Sequence, residues 1–394
     1  MKAAIVNLFA ALCAARAITH TSNGTTPKCY EFMIDVPVTA VNYVLDLQRV
    51  NNNIDAVNFA LDIDGRTSPN ATERILGNVT VSATYSLKAT LCTPGAGNDK
   101  HVLQLLTHGL IVDSRYWDVE IDREQYSYVR AAVAEGYTVL NYDRLGHGLS
   151  QKPDAYTVVQ GPLEVEILRV ITEMARNGTL SSSGLPIHVA AFDDVVHVGH
   201  SYGSILTAAF LAVYPDLSSA AILTGYIFTS NSAPGISTAA LAFEYAATNN
   251  PTLFGDRGSG YIVPASISQV QLGFYHRDNA SDPAGFTDDL LAYGEVIKQP
   301  LTVAEWLSIR GLLKLGPSPG FKGPIQFFEA ERDFLLCGSN CADDYELATL
   351  EEFYPNASAI DVYLQPGAGH GLTFHKNATA GYAVMLTWLD SQGF

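Results

Sequence analysis

From residue 101 onward the chain alternates short apolar runs with amphipathic stretches. HVLQLLTHG is followed by YSYVRAAVAEG, then YTVLNYD, then a helix candidate over Leu163 to Arg176. DVVHVGHS, the small-residue run YGSILTAAFLAVYP and SAAILTGYIF continue the series. This β-α-β-α order predicts an α/β fold, a mostly parallel central sheet with helices on both faces, because strands buried on both faces read as continuous apolar runs. Upstream, Glu31 to Val38 reads as a short strand and Asn78 to Leu91 as a stronger one, with β-branched content at period two. The polar stretch between them reads as loop around a short strand or helix. The alternation breaks between about Asn231 and Gly320, where STAALAFEYAA, DDLLAYGEV and TVAEWLSIRGLLKL are helix-like and no strand is evident. It resumes with PIQFFEA, a helix candidate at DDYELATLEEFY, the strand AIDVYLQ and a closing helix AGYAVMLTWLDS. The expected organisation is a leader over 1–17, a core made of 18–230 and 321–394, and an all-helical cap insertion over 231–320.

Composition narrows the class. With 47% hydrophobic and 16% charged residues, the 394-residue chain is neither disordered nor low-complexity. Its 23 Lys and Arg against 40 Asp and Glu give a net charge of −17, with no basic run, which argues against a nucleic-acid partner. Lys2, the apolar stretch Ala3 to Ala14 and the A-x-A pattern Ala15-Arg16-Ala17 predict a signal peptide cut after Ala17. That run is too short to span a bilayer, and no later stretch is long and apolar enough, so a secreted protein without a stable membrane anchor is expected. Sequons begin at Asn23, Asn70, Asn78, Asn177, Asn279, Asn356 and Asn377, in keeping with that route. Removing the leader removes Cys13 and leaves Cys29, Cys92, Cys337 and Cys341. Four cysteines allow three pairings; Cys29–Cys92 with Cys337–Cys341 is preferred. A metal site at the C-x-x-x-C pair lacks nearby His ligands and ranks lower.

The chemistry centres on Gly199-His200-Ser201-Tyr202-Gly203, a G-x-S-x-G pentapeptide that ends an apolar strand and opens a small-residue helix. That context marks a nucleophile elbow: Ser201 on a sharp strained turn, with the Tyr202 N–H and the helix N-terminus aimed at the site. With this motif the chain carries His108-Gly109 after a strand, the loop Asp143-Arg144-Leu145-Gly146-His147-Gly148-Leu149-Ser150, and Gly369-His370-Gly371 after the last strand. In these four landmarks and their order it resembles the α/β-hydrolase superfamily, in its cap-bearing branch, from about residue 80 to the C-terminus. It looks most like secreted fungal hydrolases of that superfamily.

The resemblance implies the order nucleophile, acid, base. Asp333, after the penultimate strand, is the expected acid, with Glu331 and Asp361 as rivals; Ala330 stands where the family often has Gly. His370 is the expected base and His375 its rival. His375 lies just before the Asn377 sequon, where an exposed polar segment is expected. Ser201 would attack a carbonyl, His370 would move the proton, and Asp333 would fix the tautomer. Neutral imidazole is needed for this, so kcat/KM is expected to rise with pH. By resemblance Leu110 joins Tyr202 in the oxyanion hole. The chain has H-G-L-I-V where prolyl peptidases of the family carry H-G-G-P-G, and Ser at 201 where epoxide hydrolases and haloalkane dehalogenases carry Asp.

His197 and His200 read as packed or lining residues, Asp143 as a loop-shaping acid, and His147 as a candidate pocket residue. Tyr116 and Trp117 either line the site or pack. Aromatics of the insertion facing the sheet, Trp306 first among them, are expected to roof an apolar pocket. The function expected is a secreted serine hydrolase of esters or lactones with a medium-sized apolar or aromatic substrate, using no cofactor and no metal. A thioesterase, amidase or C–C bond hydrolase would use the same residues. A non-catalytic binding module on the same fold would typically have lost one of the three candidates, all of which are present here. Oligomeric state is left open.

Overall fold

The computed structural model describes residues 17–18, 28–65, 68–95, 98–180, 184–226, 236–277, 285–342 and 344–394. All but the last residue of the expected leader lie outside these, as do Cys13 and the Asn23 and Asn279 sequons.

A sheet of nine strands forms the core, in the order β1-β2-β3-β5-β4-β6-β7-β11-β12. The strands are β1 (Ala17–Ile18), β2 (Lys28–Leu45), β3 (Ile75–Thr93), β4 (Val102–Thr107), β5 (Thr138–Tyr142), β6 (Asp194–His200), β7 (Ala220–Thr224), β11 (Ile325–Ala330) and β12 (Ile360–Gln365). From β5 to β12 every neighbouring pair is parallel. β4, β5, β7 and β11 are buried at every position, which is why they appear in the sequence as mostly apolar runs without alternation, the few polar residues in them, such as Gln104 and Glu329, being buried too. β2 and β3 are antiparallel and alternate between buried and exposed positions over much of their length. β2 runs well past Val38, where the sequence reading ended it. Its inward position Asn42 is polar and breaks the apolar alternation, yet it is buried, with Nδ2 donating to the Thr157 and Val158 carbonyls at 2.9 Å. The stretch between β2 and β3 holds a helix, Asn53–Asp64, capped by the Asn52 side chain.

Cys29 and Cys92 face each other across β2 and β3 and are joined, as are Cys337 and Cys341. Among the described residues no helix is long and apolar enough to cross a membrane.

Between β7 and β11 the expectation of an all-helical insertion needs correcting. Helices do fill most of it, including Ile236–Leu241, Ile267–Phe274, Asp288–Val296 and Val303–Leu313. A small antiparallel sheet runs through them, made of β8 (Phe243–Tyr245), β9 (Tyr261–Pro264) and β10 (Leu301–Thr302) in the order β10-β9-β8. Strands of two to four residues are too short to show a period, so they are hidden among helical patterns.

Candidate active site

β6 delivers the chain to Ser201, and the helix Tyr202–Val213 leaves from it. The turn between them is tight enough to hold Ser201 at φ 53° and ψ −118°, a left-handed conformation that costs a β-carbon-bearing residue about 1–3 kcal/mol. The surroundings impose it. Ser201 N donates to Thr224 O on β7 at 2.8 Å, while Ser201 O accepts from Ser204 N and Ile205 N at 2.9 and 3.0 Å. Gly203 lets the helix press against β4: a Cβ there would lie 2.1 Å from Thr107 O.

The chain returns to this turn twice. After β11, Asp333 caps the short helix Phe334–Cys337, with Oδ1 accepting from Leu336 N at 2.9 Å. Its Oδ2 is left to accept from His370 Nδ1. After β12, His370 places Nε2 2.8 Å from Ser201 Oγ. Asp333 and His370 are 1% and 2% exposed, so this hydrogen-bonded chain is shielded from water up to the more accessible Ser201. The rivals point elsewhere: Glu331 accepts from Gly367 N, and Asp361 from Gln326 Nε2. The turn at Gly109 passes directly over Ser201, since a Cβ on Gly109 would lie 3.0 Å from Ser201 Cβ. This brings Leu110 beside Ser201, and Tyr202 follows it in sequence. As the first helical residue Tyr202 has no carbonyl one turn back to receive its N–H.

Residues 104–383 match the model of the alpha/beta hydrolase family. The chain belongs to that family. Solved structures of similar fold include a bromoperoxidase from Bacillus anthracis, at 19% identity and a TM-score of 0.51, covering 78% of this chain and 96% of that one. A thermophilic esterase from Thermogutta terrifontis has 14% identity and a TM-score of 0.51, covering 78% of this chain and 95% of its own. No curated protein matches the sequence.

In this alpha/beta hydrolase several expectations about neighbouring residues change. His375 is not exposed but fully buried. Its Nε2 accepts from Gly369 N at 3.0 Å and from His276 N at 3.1 Å, and its Nδ1 lies 2.9 Å from Gly371 O. Two N–H groups on Nε2 fix the proton on Nδ1. Burial, the main cause, pushes its pKa down from 6.5 to about 4, so the ring is neutral. His375 thus ties the loop that carries His370 to the insertion. The sequon two residues on misled the reading, for Asn377 is itself engaged with Pro366 O and Gln365 Nε2. Trp306 finds its ring partner within the insertion. Its ring packs edge-on against Phe243 at 5.3 Å, both within the insertion. An insertion aromatic that does lie beside His370 is Phe274, with its ring 5.3 Å from that of His370.

His147 is enclosed rather than pocket-lining, with Nε2 3.2 Å from Arg144 Nη2. His197 is packed between Thr172 and Ser218. His200 stacks on Tyr116 at 4.2 Å, and Tyr116 and Trp117 are fully buried packing residues. Asp143 shapes its loop as expected, accepting from Ser114 N and Leu149 N.

The sequence reading missed a buried charge cluster behind the site. Arg144 Nη1 donates to both Glu164 and Glu305, and all three side chains are 3% exposed or less. The Tyr202 hydroxyl donates to Glu164 Oε2 at 2.9 Å. Burial, opposed by the Arg144 charge and joined by the neighbouring Glu305, pushes the Glu164 carboxyl up to about 8. One guanidinium therefore faces two carboxyls, both pushed toward the neutral form by burial. Among the described residues no cluster of His, Cys, Asp or Glu is arranged to hold a metal ion.

Proposed function

We propose that this protein is a secreted serine hydrolase that cleaves carboxylic esters or lactones through an acyl-enzyme. The observation that carries the reading is the hydrogen-bonded run Asp333–His370–Ser201, ending at a serine held in a left-handed backbone conformation. Ser201 Oγ attacks the substrate carbonyl carbon as His370 Nε2 takes its proton. The Leu110 and Tyr202 N–H groups donate to the carbonyl oxygen as negative charge develops on it. The alcohol leaves with the proton held by His370, and water repeats the sequence on the acyl-Ser201 ester to free the acid. Asp333, accepting from Nδ1, holds the tautomer that leaves Nε2 free and stabilises the imidazolium. Phe274 beside His370 supports an apolar or aromatic acyl group. Secretion is inferred from the A-x-A leader pattern, the sequons and the two joined cysteine pairs.

The test is hydrolysis of p-nitrophenyl esters of graded length, lactones and thioesters, together with labelling by a fluorophosphonate. Ser201→Ala should abolish the label and lower kcat by about 10³–10⁶-fold. Labelling that persists in that variant would move the nucleophile elsewhere.

A further inference from the structure

The two N–H groups assigned to the oxyanion belong to two different peptide units, and each unit is held in its own way. A trans peptide is planar with its N–H opposite its C=O, so whatever grips the carbonyl aims the N–H. The Tyr202 N–H shares a unit with the Ser201 carbonyl, which the first turn of the helix holds through Ser204 N and Ile205 N. The Leu110 N–H shares a unit with the Gly109 carbonyl, and no helix reaches it. That unit turns about the Cα of Gly109, where no Cβ hinders it, so the peptide is free to rotate and present its carbonyl to the site instead.

Arg144 opposes that rotation. Its Nη2 donates to Gly109 O at 3.2 Å and its Nε to His108 O at 3.0 Å. Its backbone N–H donates to His108 Nε2 at 2.9 Å. With Nε2 accepting, the His108 ring carries its proton on Nδ1 and donates to Gly109 O at 2.8 Å. The Gly109 carbonyl is thus gripped twice, once by a full positive charge, and a hydrogen-bonded carbonyl polarises the N–H of its own unit. The guanidinium is held in turn by Glu164 from the helix Gly161–Arg176 and by Glu305 from the insertion helix Val303–Leu313. It lies 4.6 Å over the Tyr202 ring, whose hydroxyl is bound by the same Glu164. A buried Arg between two carboxyls adds little net stability, because desolvation offsets the attraction. The arrangement is better explained by what it orients.

We propose that Arg144 is a positioning residue which aims and polarises the Leu110 N–H through the Gly109 carbonyl, and that Glu305 ties this geometry to the seating of the insertion. Lysine cannot replace it, because three donors on one nitrogen cannot serve His108 O, Gly109 O and two carboxyls spread around a planar fork. The inference rests on the serine hydrolase reading above.

The experiment measures kcat, KM for a p-nitrophenyl ester, and the second-order rate of phosphonylation by the fluorophosphonate. It compares wild type, Arg144→Lys and Glu305→Gln, each verified as folded by circular dichroism well below its Tm. Arg144→Lys should lower kcat and the phosphonylation rate together by about 10–100-fold, with KM within about threefold, as misaiming one oxyanion donor would. Glu305→Gln should lower both in the same proportion by a smaller factor, about 3–10-fold. If Arg144→Lys does not fold, Glu305→Gln decides by the same criteria. A wild type that neither turns over nor labels overturns the hydrolase reading and this inference with it. An active wild type whose folded variants keep kcat within about threefold, or lose only KM, overturns this inference alone.

Discussion

The two peptide units that flank Ser201 form an instructive pair. One is held by residues three and four positions away: the Ser201 carbonyl takes N–H groups from the helix that Ser201 itself starts. The other adds a distant hold to a local one: beside the adjacent His108 ring, the Gly109 carbonyl is gripped by Arg144, and Arg144 by Glu305, 161 residues further on. The first needs only the strand–turn–helix motif. The second needs the core, the Asp143–Ser150 loop and the insertion to be in place together. The same job, aiming an N–H at one point, is thus done locally on one side and by tertiary structure on the other.

The comparison can be broken first at its local half. Gly203→Ala would force a Cβ to 2.1 Å from a β4 carbonyl, so the elbow cannot keep its shape. Its expected cost is about 3 kcal/mol or more, because backbone faces backbone and neither side can yield. The urea midpoint measures this, and a midpoint near that of wild type would show that the helix can shift away from β4.

The distant half can be sharpened at His375, which links the His370 loop to the insertion. His375→Ala should lower kcat by about 10–100-fold, as expected when a base is displaced by a fraction of an ångström to an ångström. His375→Gln, whose Oε1 can accept the Gly369 and His276 N–H groups, should recover most of that loss. Equal activity of the alanine and glutamine variants would deny the acceptor role.

Acidity probes the same buried groups. His108 and His197 are pushed down to about 3 and His375 to about 4, in each case chiefly by burial. The unfolded chain takes up these protons from about pH 6.5 downward while the native state does not, so stability is full above that value and falls as pH drops toward 4. Each such histidine contributes up to about 1.4 kcal/mol per pH unit in that window. Burial pushes His147 and His200 down as well, while Glu164, raised to about 8, and Glu329, Glu305 and Asp113, also raised by burial, act in the opposite direction, since there the native state holds a proton that the unfolded chain has released. Denaturation midpoints at pH 7 and pH 5 should therefore differ, with less difference in His375→Gln. A flat profile would mean that these rings are not buried neutral.

The smallest expected effect separates two aromatics of the insertion. Phe274→Ala should change the ester-length profile, because its ring abuts His370, whereas Trp306→Ala should lower stability and leave the profile unchanged. Swapped outcomes would relocate the substrate's acyl group.

Much of this was legible in the sequence, and for a physical reason. A parallel sheet buried on both faces leaves mostly apolar runs without alternation. A nucleophile turn leaves glycines that no side chain could replace. Chain order then places an acid and a base after the last two strands, so Ser201, Asp333 and His370 could be named from the sequence. Short strands such as β9 could not, because four residues carry no period. Nor could the buried state of Arg144, Glu164, Glu305 and His375. A charged or polar residue in a loop or an amphipathic helix looks the same whether it faces water or a partner. Local sequence sets what a residue can form with its near neighbours, and that was enough to shape the elbow. Which distant charge would desolvate Arg144, and which N–H groups would converge on His375 Nε2, was decided only when the insertion closed against the sheet. Only then did groups far apart in the chain come within hydrogen-bond reach.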